Sequence, residues 1–246
     1  MKTSTVEQLL ALDHQFYQTF ALQFSATRLR LQPGVQYLLA KFPSNANILD
    51  LGCGNGELAV TLENSNFKGQ YIGCDVSANL LDIAKSRIRT QYQYQFLLVD
   101  LAATGWEALL PELSYNLILC FAVLHHLPGM ILRRQFLSTI HHLLINNSEK
   151  QSAFVFSVWQ FLNSPRLRSR IVPWSSIGLN DDDVDVGDYL LDWRQGGQGF
   201  RYVHHFSEAE LQTLANETGF SVRHSFYSDG QGGKLGLYQV WEAMRV

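Results

Sequence analysis

The chain has 246 residues, of which 46% are hydrophobic, and its formal net charge at pH 7 is -3. A chain of this length and hydrophobic content can bury one full core. The small negative charge excludes a polycationic protein, so contact with nucleic acid would have to come from local basic patches. We expect one domain over residues 1–246, with an N-terminal helical cap at 1–45 and an insertion at 160–206.

The sequence lacks features of secretion and of membrane insertion. Its N-terminus has no charged and then apolar signal pattern, and no apolar run approaches the roughly 18 residues of a membrane span. Cys53, Cys74 and Cys120 have no C-x-x-C spacing, which is typical of free thiols in a reducing compartment. We therefore expect a cytoplasmic protein with no membrane segment.

The N-terminal cap is predicted to be helical. Apolar side chains recur close to the 3.6-residue period over residues 5–24, and Pro33 suits the first position of a second helix. Arg28 lies in the polar break between them. Because this segment is long enough to fold across a ligand, Arg28 is either a surface residue or a charge turned into the cleft.

A glycine-rich turn follows the first predicted strand. Residues 48–51 are mostly apolar, as in a strand buried within a parallel sheet. Gly52, Gly54 and Gly56 come next and a helical pattern begins at once. Glycines let the backbone approach a ligand closely, and a helix N-terminus favours a polar or anionic group.

The spacing of these glycines favours one nucleotide cofactor. They occupy the first, third and fifth places of the turn, whereas the dinucleotide fingerprint needs the first, third and sixth. A second strand ends in an acid where nucleotide-binding folds bind the ribose hydroxyls. The turn resembles motif I of class I methyltransferases. That resemblance implies S-adenosylmethionine as cofactor, contacted by Asp50, Gly52, Gly54, Gly56 and Asp75.

Strand and helix patterns continue to alternate, which predicts a parallel sheet with helices on both faces. Residues 220–227 and 235–241 predict a closing antiparallel hairpin. The expected fold class is therefore α/β, with a Rossmann-like, seven-stranded and mostly parallel sheet. Ligands in such folds bind at the carboxyl ends of the strands. Asp100 with Leu101, and then His125, follow two of these ends, and the resemblance implies that Asp100 and Leu101 bind the cofactor.

The insertion breaks this alternation. It contains Arg166, Arg168 and Arg170 and then six aspartates between Asp181 and Asp192. A loop of this length is usually functional or disordered. After it, residues 207–210 read Ser-Glu-Ala-Glu, which predicts a helix that begins with a capping box.

The resemblance extends over nearly the whole chain to one family, the wobble-uridine tRNA methyltransferases that esterify 5-carboxymethyluridine. It is carried by residues 24–28, 50–56, 122–127, 133–134, 158–159, 187–193, 200–204 and 210–211. Asp192 departs from the family, which has a proline before the tryptophan, and the 166–185 stretch is longer. The resemblance implies tRNA as substrate and leaves open the need for an activating partner protein and the oligomeric state.

The residue types allow two kinds of acceptor. A carboxylate is already ionised at pH 7 and needs no base, but it needs an orienting cation such as an arginine fork. Arg28 and Arg201 are the candidates. A phenol, amine or carbon acid would need a base, for which the candidates are His125, His126, His204 and His205.

Two alternatives to a tRNA enzyme remain open from the residues. One is a methyltransferase of small molecules on the same fold, and the other is a non-enzymatic protein that binds the cofactor. Six of the eight histidines occur as adjacent pairs, and neighbours in sequence rarely bind one metal ion. No His or Cys spacing matches a metal motif, so we expect no metal site.

Overall fold

The computed structural model describes residues 1–27, 29–90, 92–146 and 152–245. Within them the helices are α1 (Thr3–Thr19), α2 (Ala21–Ala26), α3 (Pro33–Leu39), α4 (Glu57–Asn64), α5 (Ala78–Arg87), α6 (Met130–Ile145), α7 (Pro165–Arg168) and α8 (Glu208–Glu217). The strands are β1 (Ile48–Leu51), β2 (Tyr71–Asp75), β3 (Tyr94–Leu98), β4 (Leu117–Phe121), β5 (Ala153–Trp159), β6 (Ile171–Val172), β7 (Asp188–Trp193), β8 (Gly199–His204), β9 (Phe220–Ser228) and β10 (Gly236–Ala243).

Seven of these strands form the main sheet, in the order β3-β2-β1-β4-β5-β10-β9. The first five pair in parallel, whereas β10 is antiparallel to both β5 and β9. The order reverses beside β1, so a crevice opens there at the carboxyl ends of the parallel strands. The predicted α/β fold class with its closing hairpin is confirmed.

Both faces of this sheet are covered, as the apolar run in β1 predicts. Leu49 and Leu51 belong to the core cluster on one face, and Ile48 belongs to the cluster on the other. All three side chains have 0% exposure. The alternation of side chains along a strand requires helices above and below such a strand.

The N-terminal cap differs in one respect from the prediction. The helical pattern over residues 5–24 is divided between α1 and α2, and the chain turns at Phe20, whose N–H bonds the carbonyl of Phe16. Pro33 begins α3 in its first turn, as predicted. The turn between α1 and α2 lets the cap bend, so that α1 packs against β8 and α2 packs against α5.

The insertion contains a second sheet, in the order β6-β7-β8, with antiparallel pairs. Its side chains share a small core with α1, formed around Leu9, Trp174, Leu190 and Tyr202. The sequence predicted only a long loop here. The sequence did not reveal this sheet because the sheet depends on α1: the N–H of Tyr202, for example, donates to Asp13, 189 residues earlier, and no local pattern indicates such a contact. Among the residues that the structure describes, no helix combines the length and apolarity needed to cross a membrane.

Candidate functional site

A cavity of about 800 Å³ lies at the carboxyl ends of the parallel strands, between the main sheet, the N-terminal cap and the insertion. Its lining includes eight of the predicted site residues: Asp50, Gly52, Gly54, Asp75, Asp100, Leu101, His125 and Arg201. Two others, Gly56 and His204, do not line it. Arg28 lies outside the described residues.

The three glycines of the turn have different surroundings. Gly54 has a φ of +56°, and a Cβ placed on it would meet no atom within 4 Å, so its backbone faces open space in the cavity. A Cβ on Gly52 would collide with Val123, and one on Gly56 would lie 2.8 Å from the Cβ of Ala84. Gly54 is therefore suited to contact a ligand, whereas Gly56 serves the packing of α4 on α5.

Asp75 is buried at the end of β2, and its carboxylate organises the neighbouring backbone. Its two oxygens accept the N–H of Gly54 at 2.8 Å and the N–H of Ser77 at 2.9 Å. Burial raises the pKa of Asp75, while the backbone hydrogen bonds from Ser77 and Gly54 lower it. With a further backbone bond from Val76, three of the roughly four acceptor sites of this carboxylate are used, which leaves capacity for a hydroxyl group of a ligand.

Asp50 is a second buried acid in the cavity wall, with 4% exposure. The hydroxyl of Tyr71 donates to it at 2.5 Å. Burial raises the pKa of Asp50 to about 7, the bond from Tyr71 opposes this, and the charge of Asp75 adds to it. Asp50 is thus poised near neutral pH, and a positively charged ligand would favour its ionised form.

The N-terminal cap is tied to the end of the cavity that contains the glycine turn. The amide of Asn55, in the glycine turn, donates to the hydroxyl of Ser25 at 2.9 Å. Asp100 accepts the N–H of Ala102 at 2.9 Å and lies 3.7 Å from the ring of His14. The cap therefore closes over the glycine turn and Asp100 together.

His126, one of the candidate bases, also lines the cavity, with Asp13 and Tyr17 as partners that the sequence did not predict. Nδ1 of His126 lies 2.9 Å from Asp13 and 2.9 Å from the carbonyl of Tyr202. Because both partners are acceptors, this nitrogen carries a proton. The Nε2 atom lies 2.9 Å from the hydroxyl of Tyr17. Asp13 and Tyr17 are four residues apart and so share one face of α1; their spacing could have identified this face.

His125 lies deeper in the wall, with 1% exposure. Its Nδ1 atom accepts the backbone N–H of Trp159 at 3.2 Å, so that nitrogen is unprotonated in this arrangement. The ring is fixed between β4 and β5, which end beside each other. His125 therefore faces the cavity in a defined tautomer, with the remaining proton on Nε2.

Arg201 belongs to β8 and lines the cavity. Its guanidinium carbon lies 4.9 Å, 5.3 Å and 5.2 Å from the ring centres of Phe16, Trp159 and Trp193. The side chain is buried, with 6% exposure, and its Nε atom has no hydrogen-bond partner among the described residues. Aromatic faces stabilise a cation, but they accept no ordinary hydrogen bond from its Nε donor.

His204, a candidate base from the sequence, does not line this cavity. Nδ1 is 2.6 Å from Asp188 and Nε2 is 2.9 Å from Glu210, so both ring nitrogens face carboxylates. The predicted capping box is accordingly incomplete: the N–H of Glu210 bonds the hydroxyl of Ser207, but its carboxylate bonds His204. His204 cannot reach a ligand in the cavity from there.

The mouth of the cavity has a basic rim formed by Arg30, Arg166, Arg170 and Arg194. Asp192 lies within it, 3.5 Å from Arg170 and 2.5 Å from Arg194. This aspartate, which departs from the resembling family, neutralises part of the rim. Arg30 and Arg166 are exposed, which leaves them accessible to a ligand at the mouth.

The main sheet, the glycine turn and the buried acid beside it define the architecture of methyltransferases that use S-adenosylmethionine. The methyltransferase-domain family model matches residues 24–225, and the chain belongs to this family. It is an S-adenosylmethionine-dependent methyltransferase.

Relatives and solved structures agree with this assignment. The tRNA (carboxymethyluridine(34)-5-O)-methyltransferase of Xenopus tropicalis is 24% identical over 260 residues, covering 88% of this chain and 39% of that protein. The enzyme of the same description from Schizosaccharomyces pombe is 27% identical over 223 residues, covering 87% and 90%. A Haloferax volcanii methyltransferase, solved in complex with the Trm112 methyltransferase activator, has a TM-score of 0.67 at 14% identity, covering 95% and 98%.

Proposed function

We propose that the protein transfers the methyl group of S-adenosylmethionine to the carboxylate of a modified uridine at the wobble position of tRNA. The observation that carries this proposal is the buried Arg201, which lines the cavity and whose Nε atom, itself shielded from solvent, has no hydrogen-bond partner among the described residues. A buried cation without a carboxylate partner is costly. A carboxylate on the acceptor would accept its hydrogen bonds and complete the pair.

A carboxylate acceptor also needs no general base in the site. A carboxylate is ionised at pH 7, so it attacks the methyl group without losing a proton first. Alignment of the two reactants in a site without water can supply about 7–11 kcal/mol of the barrier. Arg201, held among Phe16, Trp159 and Trp193, would orient the attacking oxygen.

The residues around the glycine turn fit the cofactor, which supplies an electrophilic methyl group. Asp75 would accept a hydrogen bond from the ribose, since its three backbone bonds leave part of its acceptor capacity open. Gly54 would let the backbone come close, and Asp50 would oppose the positive charge of the ligand. Asp100 and Leu101, on the far wall, would face the adenine.

Two findings support tRNA as the acceptor. Both relatives described above carry the name of a carboxymethyluridine methyltransferase. The chain spans only 39% of the Xenopus protein but 90% of the fission yeast protein, so the activity is inferred for the shared part. The exposed Arg30 and Arg166 at the cavity mouth offer contacts for phosphates of an anticodon loop. A tRNA substrate also agrees with the expected cytoplasmic location.

The test is methyl transfer from labelled S-adenosylmethionine to two anticodon stem-loops that differ only at the wobble base. One carries 5-carboxymethyluridine and the other carries uridine. We expect label only in the first, in a bond that mild alkali cleaves because it is an ester. Label in both stem-loops, or an alkali-stable product, would contradict the proposal.

A small-molecule carboxylate is the second candidate, and one observation favours it. Asp192 pairs with Arg170 and Arg194, and the net charge is -3, so the mouth is less basic than its arginines alone would make it. Label that enters an ester in a metabolite extract, with none in the modified stem-loop, would select this function.

We also infer that a partner protein raises the activity. The support is the Haloferax volcanii relative, which was solved with a methyltransferase activator. Turnover of the modified stem-loop is to be compared with and without the activator of the host organism. An unchanged rate would show that this chain is active alone.

A further inference from the structure

Strand β8 presents different groups on its two sides. Arg201 points into the cavity, whereas Tyr202 and His204 lie beyond it, buried at 0% and 1% exposure. This follows from the period-2 alternation of a strand. Whatever holds Tyr202 and His204 in place also fixes the position of Arg201.

A buried cluster of charges holds these two residues. Its members, here called the anchor cluster, are Arg133, Asp188, Tyr202, His204 and Glu210. Asp188 accepts bonds from the hydroxyl of Tyr202 at 2.6 Å and from His204 at 2.6 Å, and lies 3.3 Å from Arg133. Arg133 also donates to the hydroxyl of Tyr202 at 2.8 Å.

The anchor cluster joins the insertion to the main domain. Asp188 belongs to β7 and His204 to β8, whereas Arg133 belongs to α6 and Glu210 to α8. Glu210 lies 2.9 Å from His204 and 3.6 Å from Arg133. The contacts of Asp188 and His204 with Arg133 and Glu210 therefore join the insertion sheet to helices of the main domain.

The charge of the cluster balances only when His204 is protonated. Arg133 and imidazolium His204 then face the two carboxylates of Asp188 and Glu210. A neutral imidazole has one N–H, so one of its two carboxylate contacts loses its donor and a buried negative charge is left in excess. Such an uncompensated charge is strongly destabilising.

The titration of His204 follows from these neighbours. Burial lowers its pKa, but the hydrogen bonds to Asp188 and Glu210 raise it more, so the net direction is upward although the charge of Arg133 opposes it. The hydrogen bond from His204 likewise lowers the pKa of Asp188 against the effect of burial. For His205, which directly follows β8, burial and the charge of His204 lower the pKa.

Solvent can reach the anchor cluster without passing through the methyl-transfer site. A second cavity, of about 480 Å³, is lined in part by Arg133, His204 and Glu210. Protons can therefore exchange with His204 from the side opposite Arg201. Binding of the acceptor can in this way depend on pH although the carboxylate of the acceptor does not titrate near neutrality.

We propose that the anchor cluster positions Arg201 for the acceptor, and that loss of the proton from His204 weakens acceptor binding. This rests on the proposed function, in which Arg201 binds the acceptor carboxylate. Arg133, Asp188, His204 and Glu210 are positioning residues, since none of them lines the methyl-transfer cavity.

The pH range follows from the direction of the shift. The pKa of His204 is higher in the folded protein than its unfolded value of about 6.5. The cluster is therefore fully formed below that value and loses its stabilisation as pH rises through the folded pKa. Acceptor binding should weaken on the alkaline side of neutrality, while cofactor binding at the glycine turn stays unchanged.

The experiment measures the KM for a 5-carboxymethyluridine stem-loop and the Kd for S-adenosylhomocysteine from about pH 6 to about pH 9. For the native chain, we expect the KM to rise about tenfold across a single inflection while the Kd stays constant. Glu210→Gln removes one carboxylate at the half-buried end of the cluster, so it should move the inflection to lower pH. His205→Gln, on the same strand end, is the matched control and should leave the inflection in place.

His204→Gln should give a high KM that no longer changes with pH. A native KM without the inflection would overturn the inference, as would an inflection that Glu210→Gln leaves in place. If Arg201→Gln does not raise the KM, the proposed function itself fails. If Arg201→Gln raises the KM but the substitutions in the anchor cluster leave the inflection at the same pH, only this inference fails.

Discussion

The carboxylate of Asp75 accepts the backbone N–H of Gly54 over 2.8 Å. The acid that ends β2 and the turn that follows β1 are thus joined directly, although they are 21 residues apart. Each fixes the other at the edge of the cavity, so the site for the cofactor exists before the ligand arrives. Pre-organisation of this kind lowers the cost of binding.

Asp75→Ala should reduce the affinity for S-adenosylhomocysteine at least tenfold. A hydrogen bond to a charged group contributes about 1.5–3 kcal/mol, and the N–H of Gly54 would also lose its acceptor. Isothermal titration calorimetry measures the loss. Asp82→Ala, on the exposed side of α5, is the control, and equal affinities for the two variants would refute this placement of the cofactor.

Gly54→Ala and Gly56→Ala should have different effects on cofactor affinity and on the thermal stability of the protein. Both glycines have positive φ, which costs an alanine roughly 1–2 kcal/mol. Only the new Cβ at Gly56 would meet Ala84, at 2.8 Å. We therefore expect Gly56→Ala to have the lower Tm and Gly54→Ala to lose more cofactor affinity. The reverse order in calorimetry and thermal unfolding would contradict the assigned roles.

Asp50→Asn should stabilise the ligand-free protein in alkaline solution. Folding raises the pKa of Asp50 from 3.8 to about 7, so the folded state binds the extra proton and stability falls as pH rises between these values. Each pKa unit corresponds to about 1.4 kcal/mol. We expect a gain of about 1–3 kcal/mol at pH ~8 and almost none at pH ~4, measured by urea unfolding. A gain that is the same at both pH values would exclude a titrating Asp50.

Local sequence patterns predicted the main sheet because its strands and helices are defined by short-range signals. The apolar run of β1, the hydroxyl of Ser77 that caps α5, and Gly219 after α8 each act within a few residues. The glycine turn and Asp75 were also predictable, since parallel strands place their carboxyl ends at one edge.

The acceptor side was less predictable because it depends on contacts between distant segments. Arg201 is surrounded by Phe16 from α1, Trp159 from β5 and Trp193 from β7, and no spacing along the chain relates these three. His204 was a candidate base from its residue type, but the alternation along β8 puts it on the other side from Arg201. Residue type alone could not distinguish a catalytic histidine from one that pairs with buried carboxylates.

The central claim is that Arg201 binds the carboxylate of the acceptor. It is tested most directly by the binding of two stem-loops, one with 5-carboxymethyluridine and one with the uncharged 5-carbamoylmethyluridine, to the native protein and to Arg201→Gln. Fluorescence anisotropy with S-adenosylhomocysteine present gives the four values of Kd. We predict that the native protein prefers the carboxylate at least tenfold and that Arg201→Gln abolishes this preference. The same preference in both proteins would contradict the account.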